Sequence, residues 1–229
     1  MKKAILAAFL ALAFGVSIAK PYPQHDVKQD VLGNKRFNLA AAERIMQDIS
    51  EHARDYPTRF DNEADKKRAG ADAVQLSNIY RALLRAGVVK PKDAAYPSTL
   101  RHIARLGWMA YNMDVNVPVT AQIADEHYRL LLSALPSKSE EQAKMQTEYG
   151  IFLDAIGQNG TAIKMLKQSL NNGNAAARKP LAMALIGHGK KEEIIALMRT
   201  YTKEFPQDKQ AKDLLHALEN GQIKLKVIP

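Results

Sequence analysis

The sequence predicts an all-α protein, an antiparallel array of helix hairpins preceded by an extended N-terminal arm. Three observations point there. Apolar residues recur at three- and four-residue spacing over most of the chain, the signature of helices that bury one stripe. Short connections bearing Gly or Pro separate these stretches, so each helix folds back on the one before. Near the C-terminal end one pattern recurs at an offset of 32 residues: Tyr149, Gly150, Leu153, Gly157, Ala162 and Leu166 return as Leu181, Ala182, Leu185, Gly189, Ile194 and Met198. A single hairpin cannot bury both of its apolar stripes, so repeated hairpins must stack.

The chain has 229 residues, is 46% apolar and 25% charged, carries a net charge of +9 and contains no Cys. Such a composition excludes wholesale disorder, a disulfide scaffold, a zinc-finger framework and a thiol nucleophile. Residues 1–19 read as a signal peptide. Lys2 and Lys3 precede the apolar run Ala4–Ile18, and Ser17 and Ala19 place small residues before a cleavage site between Ala19 and Lys20. The run is shorter than the ~20 residues a bilayer span requires. Its removal takes away Lys2 and Lys3, lowers the net charge to +7 and leaves 210 residues. A short signal and a cysteine-free mature chain favour a periplasmic or secreted destination, with a retained N-terminal anchor as the alternative.

Residues 20–38 carry two prolines, one glycine and many polar groups without helical spacing, and are expected to form the extended arm. Residues 39–99 hold two helices. Ala42, Ile45, Met46, Ile49 and Ala53 make one stripe, and a second helix near 62–86 uses Ala73, Leu76, Ile79, Tyr80, Leu83 and Leu84 before Gly87 ends it. Residues 100–219 hold the repeated hairpins and a capping helix. Ser98 is the expected N-cap of the helix carrying Leu100, Ile103, Leu106, Met109 and Ala110, and Thr120 that of the helix with Ala124, Tyr128 and Leu131. Ser137 to Glu140 has the spacing of a capping box, and Asn159-Gly160-Thr161 that of a turn followed by a Thr cap. In residues 220–229, Ile223, Leu225 and Val227 alternate with lysines, a strand-like period.

The repeated pattern resembles the tetratricopeptide repeat, with its period of about 34 residues. An earlier partial match is Leu106-Gly107 with Ala124, Tyr128 and Pro136, joined by an overlong loop. The diagnostic Trp is missing, since Trp108 follows Gly107, and the periods are unequal. Residues 39–99 would then be a degenerate repeat. The resemblance implies a TPR-like α-solenoid in which the first helix of each pair lines a groove for an extended peptide or helix. The matching groove positions are Lys144, Thr147, Ile151, Asp154, Lys179 and Met183.

No catalytic constellation stands out. The six His residues are scattered, no metal-ligand spacing occurs, and no cofactor or metal is expected. Asp125-Glu126-His127 reads as a solvated helix face, because consecutive helical side chains point about 100° apart. Gly187-His188-Gly189-Lys190 lacks P-loop spacing and reads as an inter-helix turn. Two windows are strongly basic. Residues 67–111 hold Lys67, Arg68, Arg81, Arg85, Lys90, Lys92, Arg101 and Arg105 against Asp72 and Asp93. Residues 160–191 hold Lys164, Lys167, Arg178, Lys179, Lys190 and Lys191 with no acid. Solubilising spaced lysines is the favoured account. As a surface, the windows would suit an acidic protein or an anionic envelope surface, with nucleic acid a poor candidate in an exported chain. The expectation is a non-catalytic periplasmic scaffold or adaptor that holds another protein or peptide in envelope assembly or secretion. The competing readings are a hydrolase or enzyme accessory whose site the sequence does not reveal, built for instance on Glu148 and Asp154, and an inhibitor or immunity-type binding protein.

Overall fold

The computed structural model of the chain describes residues 20–33 and 36–222. The expected signal peptide, 1–19, and the strand-like stretch 223–229 lie outside them. The helices are α1 (Val27–Leu32), α2 (Leu39–Ala53), α3 (Glu63–Arg85), α4 (Ala95–Asn112), α5 (Val117–Ala134), α6 (Glu140–Ala155), α7 (Asn159–Asn171), α8 (Arg178–Leu185), α9 (Lys191–Glu204) and α10 (Lys209–Glu219). One-turn 3-10 segments, Ala175–Ala177 and Ile186–His188, flank α8. Among the described residues there is no strand, and the fold is an all-α array of helix hairpins.

Side-chain caps set several helix starts. Asp26, Asn38 and Asn62 accept from the backbone N–H three residues on, at 3.0, 3.2 and 2.9 Å. Other starts differ from the sequence expectation. Helix α4 begins at Ala95, and Ser98, inside it, donates to the Ala95 carbonyl. Helix α5 begins at Val117, and buried Thr120 donates to the Asn116 carbonyl. Helix α7 begins at Asn159, ahead of Thr161. In α4 and α5 the reason is proline: Pro97 and Pro118 sit in the first turn, where a missing N–H costs nothing and φ is already helical. Pro180 sits likewise in the first turn of α8. The box at the start of α6 is displaced by two residues. Ser139 accepts from Gln142 N–H, and Gln142 Oε1 accepts from Lys138 N–H.

The described residues fall into two compact units, one within 20–76 and 109–115, the other within 77–108 and 116–222. Helices α3 and α4 each supply residues to both. In the first unit the expected extended polar arm is corrected. Its central part is helix α1, which packs on α2, and Tyr22, Val27 and Val31 are buried. Tyr22 anchors the segment. Its N–H donates to Asp65 at 3.1 Å, its hydroxyl donates to Asp72 at 3.0 Å, and its carbonyl accepts from Arg68. The proline-rich composition hid three apolar side chains whose partners lie some 10 to 50 residues away. Asn112 closes the far end of α2 by donating to the Ala53 carbonyl at 2.9 Å.

In the second unit α5 packs on α6, and α6 through α10 pack each on the next. Ala104, Ala124, Tyr128, Tyr149, Phe152, Leu153 and Ala162 form one buried cluster. Leu166, Leu181, Leu185, Ile194, Met198 and Leu218 belong to another. Every position of the 32-residue repeat behaves alike in its two copies. The four apolar pairs and the pair Gly150/Ala182 are buried, and Gly157 and Gly189 both take positive φ, 83° and 67°. The small residue does what the pattern requires. A Cβ on Gly150 would lie 2.6 Å from Leu166 Cγ. One on Gly107 would lie 3.0 Å from the Ala124 nitrogen and the Thr120 oxygen. Helices α4 and α5 therefore meet by the same close approach as α6 and α7.

Candidate functional site

The six groove positions fall on α6 and α8, which pack against each other. Their roles differ. Lys144 is exposed and pairs with Glu140 at 2.5 Å. Lys179 pairs with Asp208 at 2.8 Å and sits 6.0 Å from the Tyr201 ring centre. Thr147 is turned to the seam with α7. Its hydroxyl lies 2.7 Å from Ser169 Oγ and accepts from Asn174 at 2.8 Å, while Ser169 donates to the Ala143 carbonyl. Three positions stay available. Ile151 is 38% exposed, Met183 is half-buried, and the Asp154 carboxylate has no ion pair or hydrogen bond among the described residues. Burial raises the Asp154 carboxyl above the usual carboxylate value, and the charge of His188 opposes it.

Glu148 does not join Asp154. It takes a bidentate bond from Arg105 of α4, at 2.7 and 2.6 Å, and accepts the Tyr128 hydroxyl at 2.8 Å. Burial, then the Glu148 charge, raises the Tyr128 phenol well above its ordinary value. This triad ties α4, α5 and α6 together, and no sequence window could show it because its members are 20 and 43 residues apart. Asp125-Glu126-His127 is not the solvated face expected. Asp125 accepts the Tyr149 hydroxyl at 2.5 Å, and His127 is buried with Nδ1 2.8 Å from the Ile123 carbonyl; only Glu126 is exposed. Helix α5 lies between α4 and α6, so two of its faces are inside. Gly187 to Lys190 is the inter-helix turn expected. Among the described residues no group of three His, Asp or Glu side chains could hold a metal ion. Nor is any of their helices long and apolar enough to cross a membrane.

The second unit also contains a cleft of about 400 Å³ that the sequence reading missed. Leu84, Tyr96, Leu100 and Leu130 line it, with Val89 and Pro91 from the α3–α4 loop. Its polar groups are Arg81, Arg85, Glu126 and His127. The signal available was narrow: two arginines one helical turn apart, flanking Leu84, within a window read only for its total charge. Tertiary structure divides the two basic windows. In the second, Lys167 pairs with Glu193, Arg178 with Glu204 and Lys179 with Asp208, acids that all lie beyond the window. In the first, Arg101 and Arg105 reach Glu141 and Glu148. Arg81 and Arg85 have no ion pair among the described residues.

No family model matches the sequence, and no curated protein matches it.

Proposed function

We propose that this chain is an exported, non-catalytic scaffold of tetratricopeptide-like type, which holds another protein or peptide on the face formed by α6 and α8. The observation that carries the reading is the combination on those helices of exposed Ile151, half-exposed Met183 and the unpaired Asp154 carboxylate. An apolar anchor with one unsatisfied charge is what a partner side chain completes. Matching burial and backbone conformation in the two hairpins support the repeat reading. Lys144 and Lys179 are neutralised by Glu140 and Asp208, so the charge left on this face is negative. The partner segment therefore carries an apolar side chain beside a basic one. The periplasmic placement rests on the signal-like residues 1–19.

A photocrosslinking residue at Ile151 tests this in the native cell envelope. A discrete crosslinked protein is expected from Ile151, none from the same group at exposed Lys164 on α7, and loss of the Ile151 product in Asp154→Lys. Equal labelling at both positions, or no product at Ile151, would reject the scaffold face.

A further inference from the structure

We propose that the cleft bounded by the end of α3, the α3–α4 loop and α5 binds a single-chain anionic amphiphile, a free carboxylate on an unbranched apolar tail. Its apolar lining runs from buried to exposed: Leu100 is fully buried, Leu84 and Tyr96 are half-buried, and Leu130 is 39% exposed. A volume of about 400 Å³ is at the low end for ligand pockets, which suits one tail better than a two-tailed lipid.

The polar side of the cleft has a sign. Arg81 and Arg85 are one turn apart on α3, so their guanidinium groups share a face. Neither has an ion pair among the described residues, and the one hydrogen bond of Arg81 is a long contact to Asn78 at 3.4 Å. Planar guanidinium groups match a carboxylate in two-point geometry. Glu126 is the opposing charge and it is exposed. His127 adds none near neutral pH. Burial lowers its pKa, Arg81 lowers it further, and the contact to Ile123 together with Glu126 only partly offsets this. Two arginines against one glutamate favour an anionic head.

The wall from the loop is preformed. Gly87, at φ 67°, ends α3, and Val88 N–H reaches back to the Leu83 carbonyl at 3.0 Å. Asp93 then fixes the loop by accepting from Lys90 N–H at 2.7 Å, and its carbonyl accepts from Tyr96 N–H.

Calorimetric titration of the purified protein with decanoate, decanol and decyltrimethylammonium tests the assignment. Saturable one-to-one binding of decanoate is expected, with the cationic probe at least tenfold weaker. The double variant Arg81→Gln/Arg85→Gln should lose at least tenfold for decanoate and leave decanol unchanged. Leu130→Glu, at an exposed position, should weaken both decanoate and decanol while the helical circular dichroism stays the same. Equal affinity for the cationic probe, an unchanged double variant, or no saturable decanoate binding would each overturn it.

Discussion

His102 shows how one side chain couples this fold to pH. It lies against the Tyr80 ring, with 5.0 Å between centres, and its Nδ1 is buried without a hydrogen bond. Burial, then the charges of Arg101 and Arg105, lowers its pKa to about 4 from the ordinary 6.5. The folded state thus holds the ring neutral while the unfolded chain takes up a proton below 6.5. Stability falls as the pH drops from 6.5 towards 4 and levels off below, by on the order of 3 kcal/mol for this group. His102→Phe keeps a ring against Tyr80 and removes the proton uptake. Urea unfolding at pH 7 and pH 5 should show a smaller acid loss in the variant; an equal loss would place the sensitivity elsewhere.

At the scale of elements, the hairpins depend on small residues where two helix backbones come close. Gly107→Ala would put a methyl group 3.0 Å from backbone atoms of α5 that no rotamer change can move. The cost of overpacking, about 1–3 kcal/mol, exceeds the gain of about 0.5–1 kcal/mol from replacing a helical glycine. Gly160, in the first turn of α7, has nothing within 4 Å of its Cβ position, so Gly160→Ala should be neutral or slightly stabilising. Chemical denaturation should rank wild type well above Gly107→Ala and no higher than Gly160→Ala; the reverse order would mean that the α4–α5 contact is not tight. The turn glycines Gly157 and Gly189 and the apolar stripes of these hairpins were legible because each is a local pattern of one residue type, whereas Gly160, expected in a turn, lies in α7. The starts of α4 and α5 were not, since a proline marks both a helix entrance and a loop, and only the packed helix distinguishes them.

For the whole molecule, what decides the surface is which charges remain after pairing. The window 160–191 looks wholly basic in the sequence, but Arg178 and Lys179 find their acids 26 and 29 residues on. Arg81 and Arg85 keep theirs open, and Asp154 is left unpaired. The α6–α8 face and the cleft therefore present opposite charges from different helices, and should work independently. Asp154→Lys should leave decanoate binding unchanged, and Arg81→Gln/Arg85→Gln should leave crosslinking at Ile151 unchanged. If either variant abolished both, the two surfaces would be one site. Of the six groove positions taken from the repeat pattern, three remain open to a partner. Lys144, Thr147 and Lys179 already have internal partners.

The sequence alone determined the helical class, the hairpin array and the turn glycines Gly157 and Gly189, because helix formation and close helix approach follow from spacings a few residues long. Only the tertiary structure decided that residues 20–38 contain a docked helix anchored by Tyr22, that Glu148 serves Arg105 and Tyr128, and that Arg81, Arg85 and Asp154 stay unpaired. Those outcomes rest on contacts between residues far apart in the chain, where burial and charge pairing act on neighbours in space and leave no periodic mark in the sequence.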